Sequence, residues 1–376
     1  MGTRYGFVST YPPTQCGLAS FTAALHGALT ASAVDEGRIV RLVEASQPRP
    51  SADVVAEWVD GDPAGLTRAA ARLNDADVVV LQHEFGVYGG ADGEEILSLL
   101  AALRVPTVVV LHTVLVRPTT HQREVLEAVL AAADSVVTMT VTARDRLVAH
   151  YRVDPGKVEI IAHGAPPTRS APSLAPVFRT GQPTVLTWGL LGPGKGIEWG
   201  IEAMALLTDL RPRPRYLVAG QTHPKVVLRE GESYRAALAD RVRRLGLATT
   251  VTFEGNYRNA TALAELVTSA DVVLLPYDSV DQVTSGVLVE AVAAGKPVVA
   301  TGFPHAVELL GGGAGTIVAH RDPVAIAGAL RDILTRRSVA ARMSGAAAAT
   351  APQRWPAVAD RYRAWSRRLL SAAVAA

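Results

Sequence analysis

The segment QVTSGVLVEAVAAGKPVVA, residues 282–300, places a single acid in a helix built from apolar residues. Ser285 is a typical N-cap, and Gly295, with a proline two residues later, is a typical helix end before a short apolar strand. The acid is Glu290, and a buried carboxylate is costly unless a specific partner meets it. Because helical side chains lean toward the N-terminus, we expect Glu290 to lie just below the free N–H groups around Gly286. A phosphate-binding helix end beside a carboxylate fits a ligand with both phosphates and hydroxyls, such as a nucleotide sugar.

Length and composition indicate a globular protein of two domains. The 376 residues exceed a usual single domain, and a content of 49% hydrophobic and 19% charged residues excludes a disordered chain. The net charge of +2 excludes a large nucleic-acid footprint. The single cysteine, Cys16, excludes an intrachain disulfide framework, the N-terminus lacks the apolar core of a signal peptide, and no stretch fits a membrane span well. We therefore expect a cytoplasmic protein.

Short apolar strands alternate with helical stretches along the chain, which is typical of parallel α/β architecture. The pattern is interrupted at residues 165–183, which are rich in Pro, Ser, Ala and Thr and are predicted to form a linker. We therefore expect an N-terminal domain at 1–170 and a C-terminal domain at 171–355, both doubly wound and facing a central cleft. Residues 356–376 are predicted to form an amphipathic helix that packs back across the domains.

A series of short motifs in a fixed order is spread along the chain. The motifs are Gly17 after the first strand, VVVLHT around His112, the HG of His163–Gly164, WGLLGPGKGIEWGIEA around Lys195, the AG of Ala219–Gly220, ADVVLLPY ending at Tyr277, and SGVLVEAVAAGKPVVAT at 285–301. With these motifs the chain resembles the retaining GT-B glycosyltransferases of family 4 over nearly its full length. The resemblance implies two Rossmann-like domains and transfer of a sugar, with retention, from a nucleotide sugar, UDP- and GDP-sugars being the first candidates. The acceptor would be a hydroxyl of a saccharide, a lipid-linked sugar or a small molecule.

The resemblance also implies roles for individual residues. His112 would lie near the donor sugar, and the Lys195 ammonium would stabilise the charge that builds on the departing diphosphate. Gln282 occupies the position of the first acid of a glutamate pair, and Glu290 matches the second, which accepts hydrogen bonds from the ribose. The implied catalytic residues are therefore His112, Lys195 and Gln282. The implied donor-binding residues are Lys195, Ser285, Gly286, Val287, Leu288 and Glu290.

Gly17, His83 and Glu84 are the residues we expect to contact the acceptor. They follow strand ends of the N-terminal domain, and the glycines of the run FGVYGG at 85–90 can form a tight loop there. A loop with structural glycines and a capping glutamate explains the same residues equally well, so both interpretations stay open.

Two positions depart from the family's pattern. An amide at Gln282 can bind a sugar hydroxyl, but it cannot supply negative charge to an oxocarbenium-like transition state. A catalytic role for Gln282 is therefore no better supported than a binding role. The family usually has an arginine five residues before the lysine, where this chain has Leu190, so one cationic contact to the diphosphate is missing.

Each donor-site residue also has a structural explanation. Glu290 can be satisfied by a backbone amide or an arginine, Ser285 can be an ordinary cap, Lys195 can be a solvated loop lysine, and His112 can bond a neighbouring carbonyl. The motifs that surround these residues favour the ligand roles.

We predict a metal-independent enzyme with no cofactor besides its nucleotide-sugar substrate, because no paired metal-ligand spacing occurs around His83, Glu84 and His112. The resemblance implies front-face displacement in which the leaving phosphate takes the acceptor proton. The alternatives are a GT-B sugar-nucleotide epimerase or phosphorylase, and a catalytically degenerate protein that binds a nucleotide sugar. The basic helix predicted at 356–371 leaves peripheral membrane contact open, and we expect no nucleic-acid partner.

Overall fold

The computed structural model describes residues 2–46, 51–166, 181–350 and 352–375. Contacts divide the chain into two compact units: Met1–Gly164 with Gln353–Ala376, and Ala165–Pro352. Most of the linker predicted at 165–183 lies outside the described residues.

The first unit contains a parallel sheet of seven strands with the order β3-β2-β1-β4-β5-β6-β7. Its elements are β1 (Arg4–Ser9), α1 (Gly17–Leu29), β2 (Glu36–Val43), β3 (Val54–Val59), α2 (Pro63–Leu73), β4 (Val78–His83), α3 (Ile96–Ala102), β5 (Thr107–Leu111), α4 (Thr120–Ala132), β6 (Ser135–Thr138), α5 (Val141–His150) and β7 (Val158–Ile160). The strand order reverses between β1 and β4, as in a doubly wound fold.

The second unit contains a parallel sheet of six strands with the order β10-β9-β8-β11-β12-β13. Its elements are β8 (Thr184–Trp188), α6 (Ile197–Ala205), β9 (Arg215–Ala219), α7 (Pro224–Glu230), α8 (Ser233–Arg244), β10 (Val251–Glu254), α9 (Ala260–Ser269), β11 (Val272–Leu275), α10 (Gly286–Ala293), β12 (Val298–Thr301), α11 (Pro304–Leu310), β13 (Gly315–Val318), α12 (Pro323–Thr335) and α13 (Arg337–Thr350). Here the order reverses between β8 and β11.

Continuous apolar strands form both sheets because helices cover both of their faces. In β11, Val272 and Leu274 pack into one apolar cluster with helices α6, α8 and α12, whereas Val273 and Leu275 pack into another with α10. The two doubly wound parallel sheets confirm the predicted fold class, and the central cleft stays a prediction.

One strand, β3, has no continuous apolar run that would indicate it in the sequence, because Val54–Val59 alternates buried and half-buried residues and contains an acid, Glu57. The final helix, α14, covers Trp355–Ala375 and packs on α1 of the first unit, with Val358 and Tyr362 in that unit's apolar cluster. Within the part of the chain that the structure describes, no helix is both long and apolar enough to span a bilayer.

Candidate functional site

The strand order of the second unit points to one edge of its sheet. Doubly wound sheets bind ligands outside the carboxyl ends of the strands, at the position where the strand order reverses. In this unit that position lies between β8, which leads into the loop of Lys195, and β11, which leads through Gln282 to α10. The backbone N–H of Asp278 donates to the carbonyl of Gly194 over 2.9 Å and joins the two loops. Residues from two separate sequence motifs therefore meet at one sheet edge.

Gly196 allows this close approach. It has φ +62°, the left-handed region, and precedes α6. A Cβ at this position would lie 1.8 Å from the carbonyl oxygen of Pro276, at the end of β11. The glycine after Lys195 is thus needed for both its φ angle and its lack of a side chain.

Lys195 is a half-buried cation that lies over an aromatic ring. Its Nζ lies 4.5 Å from the centroid of the Tyr277 ring, and that ring stacks on Phe303 with 5.2 Å between the centroids. Burial lowers the pKa of the Lys195 amine. Among the described residues no acid pairs with the ammonium, so an anionic ligand would supply its missing counter-charge.

The N-terminus of α10 keeps two backbone amides for a ligand. The Ser285 hydroxyl accepts from Leu288 N over 3.3 Å, and Ser285 N donates to Nδ1 of His305 over 2.8 Å. The sequence analysis expected the backbone N–H groups of Ser285 and Leu288 to bind the donor. Both donate to other groups of the protein instead. In the described ranges the N–H groups of Gly286 and Val287 have no partner, and Ser285 serves to shape the helix start.

Glu290 lies one turn further along α10 and is half-buried. Burial raises the pKa of its carboxyl to about 7, although the Trp188 indole N–H donates to it and opposes the shift. Trp188 is the last residue of β8, and Tyr277, whose hydroxyl bonds Ser285, lies near the same carboxylate. The carboxyl group is thus poised between its neutral and charged forms at neutral pH.

Gln282 is turned toward its own loop. Its side-chain Nε2 donates to the carbonyl of Thr284 over 3.0 Å, and its backbone carbonyl accepts from His305 N over 3.3 Å. The nearby Asp278 accepts from the Trp199 indole over 3.0 Å and pairs with Arg321 at 3.2 Å. The Gln282 side chain therefore forms no hydrogen bond with Lys195 or Glu290.

His112 follows β5 in the first unit. Its Nε2 lies 2.7 Å from Oε1 of Gln82, and the Phe21 ring meets it edge-on with 4.9 Å between the centroids. Burial, together with the smaller effects of the neighbouring His163 and His83, lowers the pKa of His112 to about 3. The imidazole is therefore neutral at physiological pH.

Gly17 follows β1, whereas His83 is the last residue of β4 and Glu84 comes directly after it; β1 and β4 are neighbours in the sheet. His83 is only 1% exposed, and burial lowers its pKa to about 4. Glu84 accepts from the Thr113 hydroxyl and, over 3.2 Å, from the backbone N–H of Phe85. A Cβ at Gly17 would meet nothing within 4 Å. The three residues lie at the same strand edge, but His83 is enclosed and does not present its ring to solvent.

Three residues that the sequence analysis did not assign belong to the second unit's site: Trp188, Tyr277 and His305. Trp188 and Tyr277 stand at or just after strand ends at the position of order reversal, a signal that was available in the sequence. His305 contacts Ser285 from twenty residues away, which no local pattern indicates. Across the described ranges, no group of three or more His, Cys, Asp or Glu residues is arranged to hold a metal ion.

Comparisons with known proteins define the class. The chain has the GT-B fold: it matches the structure of HepE from Anabaena in complex with UDP and glucose, with a TM-score of 0.73 and 16% identity over 96% of this chain and 98% of that chain. It also matches sucrose-phosphate synthase from Thermosynechococcus elongatus, with a TM-score of 0.77 and 19% identity over 98% of this chain and 100% of that chain.

Family models match most of the chain. Residues 32–169 match the model described as Glycosyltransferase Family 4, and residues 182–336 match the model described as Glycosyl transferases group 1. The chain therefore belongs to the family 4, or group 1, glycosyltransferases.

Sequence relatives are D-inositol 3-phosphate glycosyltransferases. The chain is 33% identical over 235 residues to that of Streptomyces avermitilis, covering 58% of this chain and 48% of the relative. It is 31% identical over 247 residues to that of Streptomyces coelicolor, covering 58% of this chain and 52% of the relative. The chain thus spans about half the length of the curated relatives it matches.

Proposed function

We propose that this protein is a cytoplasmic, metal-independent, retaining glycosyltransferase that takes a sugar from a nucleotide sugar. One observation carries the proposal: three groups stand at one edge of the second unit's sheet, namely a half-buried ammonium, two helix-start amides and a half-buried carboxyl group. Among the described residues the ammonium has no paired acid and the two amides have no hydrogen-bond partner. The first two bind phosphate, and the third accepts hydrogen bonds from hydroxyls.

The donor is held by its nucleotide diphosphate. Lys195 and the amides of Gly286 and Val287 bind the diphosphate oxygens, because these groups carry positive charge and lack partners in the described residues. Glu290 accepts from the ribose hydroxyls in its ionised form. The bound UDP in the Anabaena HepE structure supports a nucleotide diphosphate as the ligand class.

The reaction exchanges one bond at the anomeric carbon for another. The bond from this carbon to the diphosphate oxygen breaks while the bond to the acceptor oxygen forms on the same face, and the acceptor proton passes to the leaving phosphate. Lys195 stabilises the negative charge that develops on the diphosphate. Since Lys195 and the helix N-terminus already supply positive charge, the leaving group does not depend on a metal ion.

The acceptor is bound by the first unit. His112, neutral because of its burial, accepts a hydrogen bond from a sugar hydroxyl near the reacting centre. Gly17 and Glu84 stand at the neighbouring strand ends, where a polyhydroxylated acceptor has both a backbone turn and a carboxylate to bind. The names of the sequence relatives support a small hydroxylated, phosphorylated acceptor as the first class to test.

The test is transfer to an acceptor. The full-length protein is incubated with UDP-, GDP-, ADP- and TDP-sugars and with inositol, inositol phosphate and simple saccharides, and nucleotide release is measured with and without acceptor. We expect acceptor-dependent release and a product whose anomeric configuration by NMR equals that of the donor. Lys195→Met is the inactive control. Epimerised donor, or release that requires phosphate instead of a sugar acceptor, would favour the epimerase or phosphorylase.

A second candidate is a degenerate protein that binds a nucleotide sugar without turning it over. The contact of the Gln282 amide with its own loop favours this candidate, because the family's first acid is replaced by a group that faces elsewhere. Tight donor binding without any turnover across the acceptor panel would support it.

A further inference from the structure

Gln82 and His112 are joined by a hydrogen bond that the sequence analysis did not predict. Gln82 lies in β4 and is fully buried, and His112 follows β5, the next strand of the sheet. Oε1 of Gln82 is 2.7 Å from Nε2 of His112. The Gln82 backbone carbonyl accepts from the Tyr88 hydroxyl over 2.6 Å, which fixes the residue on its other side.

This contact determines where the imidazole carries its proton. A carboxamide oxygen only accepts, so Nε2 of His112 is the donor and bears the hydrogen. The imidazole is neutral, and therefore Nδ1 keeps its lone pair. No described residue bonds Nδ1, which leaves it as an acceptor for a ligand hydroxyl.

The tautomer of His112 depends on the orientation of the Gln82 carboxamide, which turns its oxygen to the ring and leaves its buried Nε2 without a hydrogen-bond partner among the described residues. The ring meets Phe21 edge-on, and the titratable side chains that act on it are the imidazoles of His83 and His163. His163 directs its own Nδ1 to the carbonyl of Gly164 at 2.8 Å, and His83 is enclosed beside Phe85. A neutral amide is also the right partner for a neutral imidazole, because a carboxylate in its place would favour the protonated ring.

We propose that Gln82 is a positioning residue: it fixes the Nε2–H tautomer of His112 and so presents Nδ1 as a hydrogen-bond acceptor to a sugar hydroxyl at the reacting centre. The second half of this proposal rests on the proposed function. The first half concerns the protein alone and is measured without substrate.

The first experiment reads the tautomer directly. Protein labelled with ¹⁵N-histidine is compared by NMR for the wild type and Gln82→Met, which keeps the side-chain length and removes the acceptor. His112 is assigned by the signals lost in His112→Asn. We expect the wild type to show one protonated Nε2 and one unprotonated Nδ1, and Gln82→Met to show averaged signals from both tautomers. Phe21→Leu, which loosens the packing on the ring without removing the acceptor, should keep the wild-type pattern.

The second experiment uses pH. In Gln82→Glu the partner still accepts from Nε2, but its negative charge raises the His112 pKa by roughly 1–3 units. Donor-dependent kcat/KM of this variant should then fall as pH drops below about 6, because a protonated His112 has no lone pair to offer. The wild type loses kcat/KM in this range through the protonation of Glu290 alone, so the ratio of variant to wild type at each pH reports the protonation of His112. For Gln82→Met we expect kcat to fall about tenfold at every pH, with the donor KM changed little, the effect of about one misplaced hydrogen bond.

The outcomes separate the inference from the proposed function. If the ¹⁵N signals of His112 are the same in Gln82→Met and in the wild type, while both unfold cooperatively, Gln82 does not set the tautomer and the inference is wrong. If the tautomer changes but transfer by Gln82→Met equals that of the wild type, the positioning role in the reaction is wrong although the proposed function stands. A wild type that transfers nothing overturns the proposed function and with it the second half of the inference, and the NMR result alone then decides the first half.

Discussion

Replacing Glu290 with glutamine should stabilise the unliganded protein at alkaline pH and leave its stability unchanged at acidic pH. Burial raises the pKa of this carboxyl from 4.5 to about 7, so the folded state holds its proton more tightly than the unfolded chain does. For an acid whose pKa is raised on folding, stability is complete below the unfolded pKa and is lost as pH rises toward the folded pKa. Glutamine does not ionise and escapes this loss, while its carbonyl still accepts from the Trp188 indole.

The size of the effect follows from the pKa change. A shift from 4.5 to about 7 corresponds to about 3 kcal/mol at 1.36 kcal/mol per unit, developed between about pH 5 and pH 7. A domain of 150–250 residues changes Tm by roughly 2–4 °C per kcal/mol. Glu290→Gln should therefore melt about 6–12 °C above the wild type at pH 8 and only about 2–3 °C above it at pH 5.

Thermal unfolding without ligand, followed by intrinsic fluorescence at pH 5, 6, 7 and 8, measures this difference. Glu265→Gln on the exposed face of α9 is the matched control, and its Tm should follow the wild type at every pH. A Tm difference between Glu290→Gln and the wild type that stays constant across the pH range would refute the reasoning. It would mean that Glu290 is ionised at all these pH values or that its burial costs nothing.

Three further outcomes are expected. Lys195→Met should lower kcat for acceptor-dependent nucleotide release by about 10²–10³, as is typical when a group that stabilises developing charge is removed, whereas equal kcat values would show that Lys195 does not act on the leaving group. Glu57→Gln should lower the free energy of unfolding in urea by roughly 3–5 kcal/mol, because it leaves the fully buried Arg41 without its ion pair. The double variant Arg41→Met with Glu57→Leu should recover most of this stability. A Glu57→Gln variant as stable as the wild type would contradict this. Gly196→Ala should weaken nucleotide binding and lower Tm, because the φ angle of Gly196 is left-handed. Gly328→Ala on α12, where an added Cβ meets nothing within 4 Å, should raise stability by about 0.5–1 kcal/mol. A Gly196→Ala variant more stable than Gly328→Ala would contradict this.

The sheets and the helix α10 were predictable because their signals are local. Buried parallel strands such as Val272–Leu275 are continuous β-branched or aliphatic runs, and α10 begins and ends at residues with distinct backbone preferences, Ser285 and Gly295. The placement of Lys195 and Glu290 at one sheet edge followed from the family's order of motifs.

Side-chain direction was not predictable because it depends on contacts between segments distant in the chain. The Ser285 amide meets His305, and the Gln82 oxygen meets His112 thirty residues away, once β4 and β5 are known to be neighbours. The orientation of Gln282 is set by the fold of its own loop against the Thr284 carbonyl. Residue type and spacing leave such directions open, whereas sheet order and loop conformation decide them.

The most direct test of the account is a calorimetric titration of the full chain with UDP, GDP, ADP and TDP and their sugars. We predict that at least one nucleotide sugar binds the wild type, that its affinity falls as pH drops below about 7 with the protonation of Glu290, and that Glu290→Ala binds at least tenfold more weakly while Glu265→Ala binds normally. At about 100 times its Kd such a ligand should also stabilise the wild type by roughly 2.7 kcal/mol. Absence of binding by every nucleotide and nucleotide sugar, or equal binding by Glu290→Ala, would contradict the assignment of the donor site.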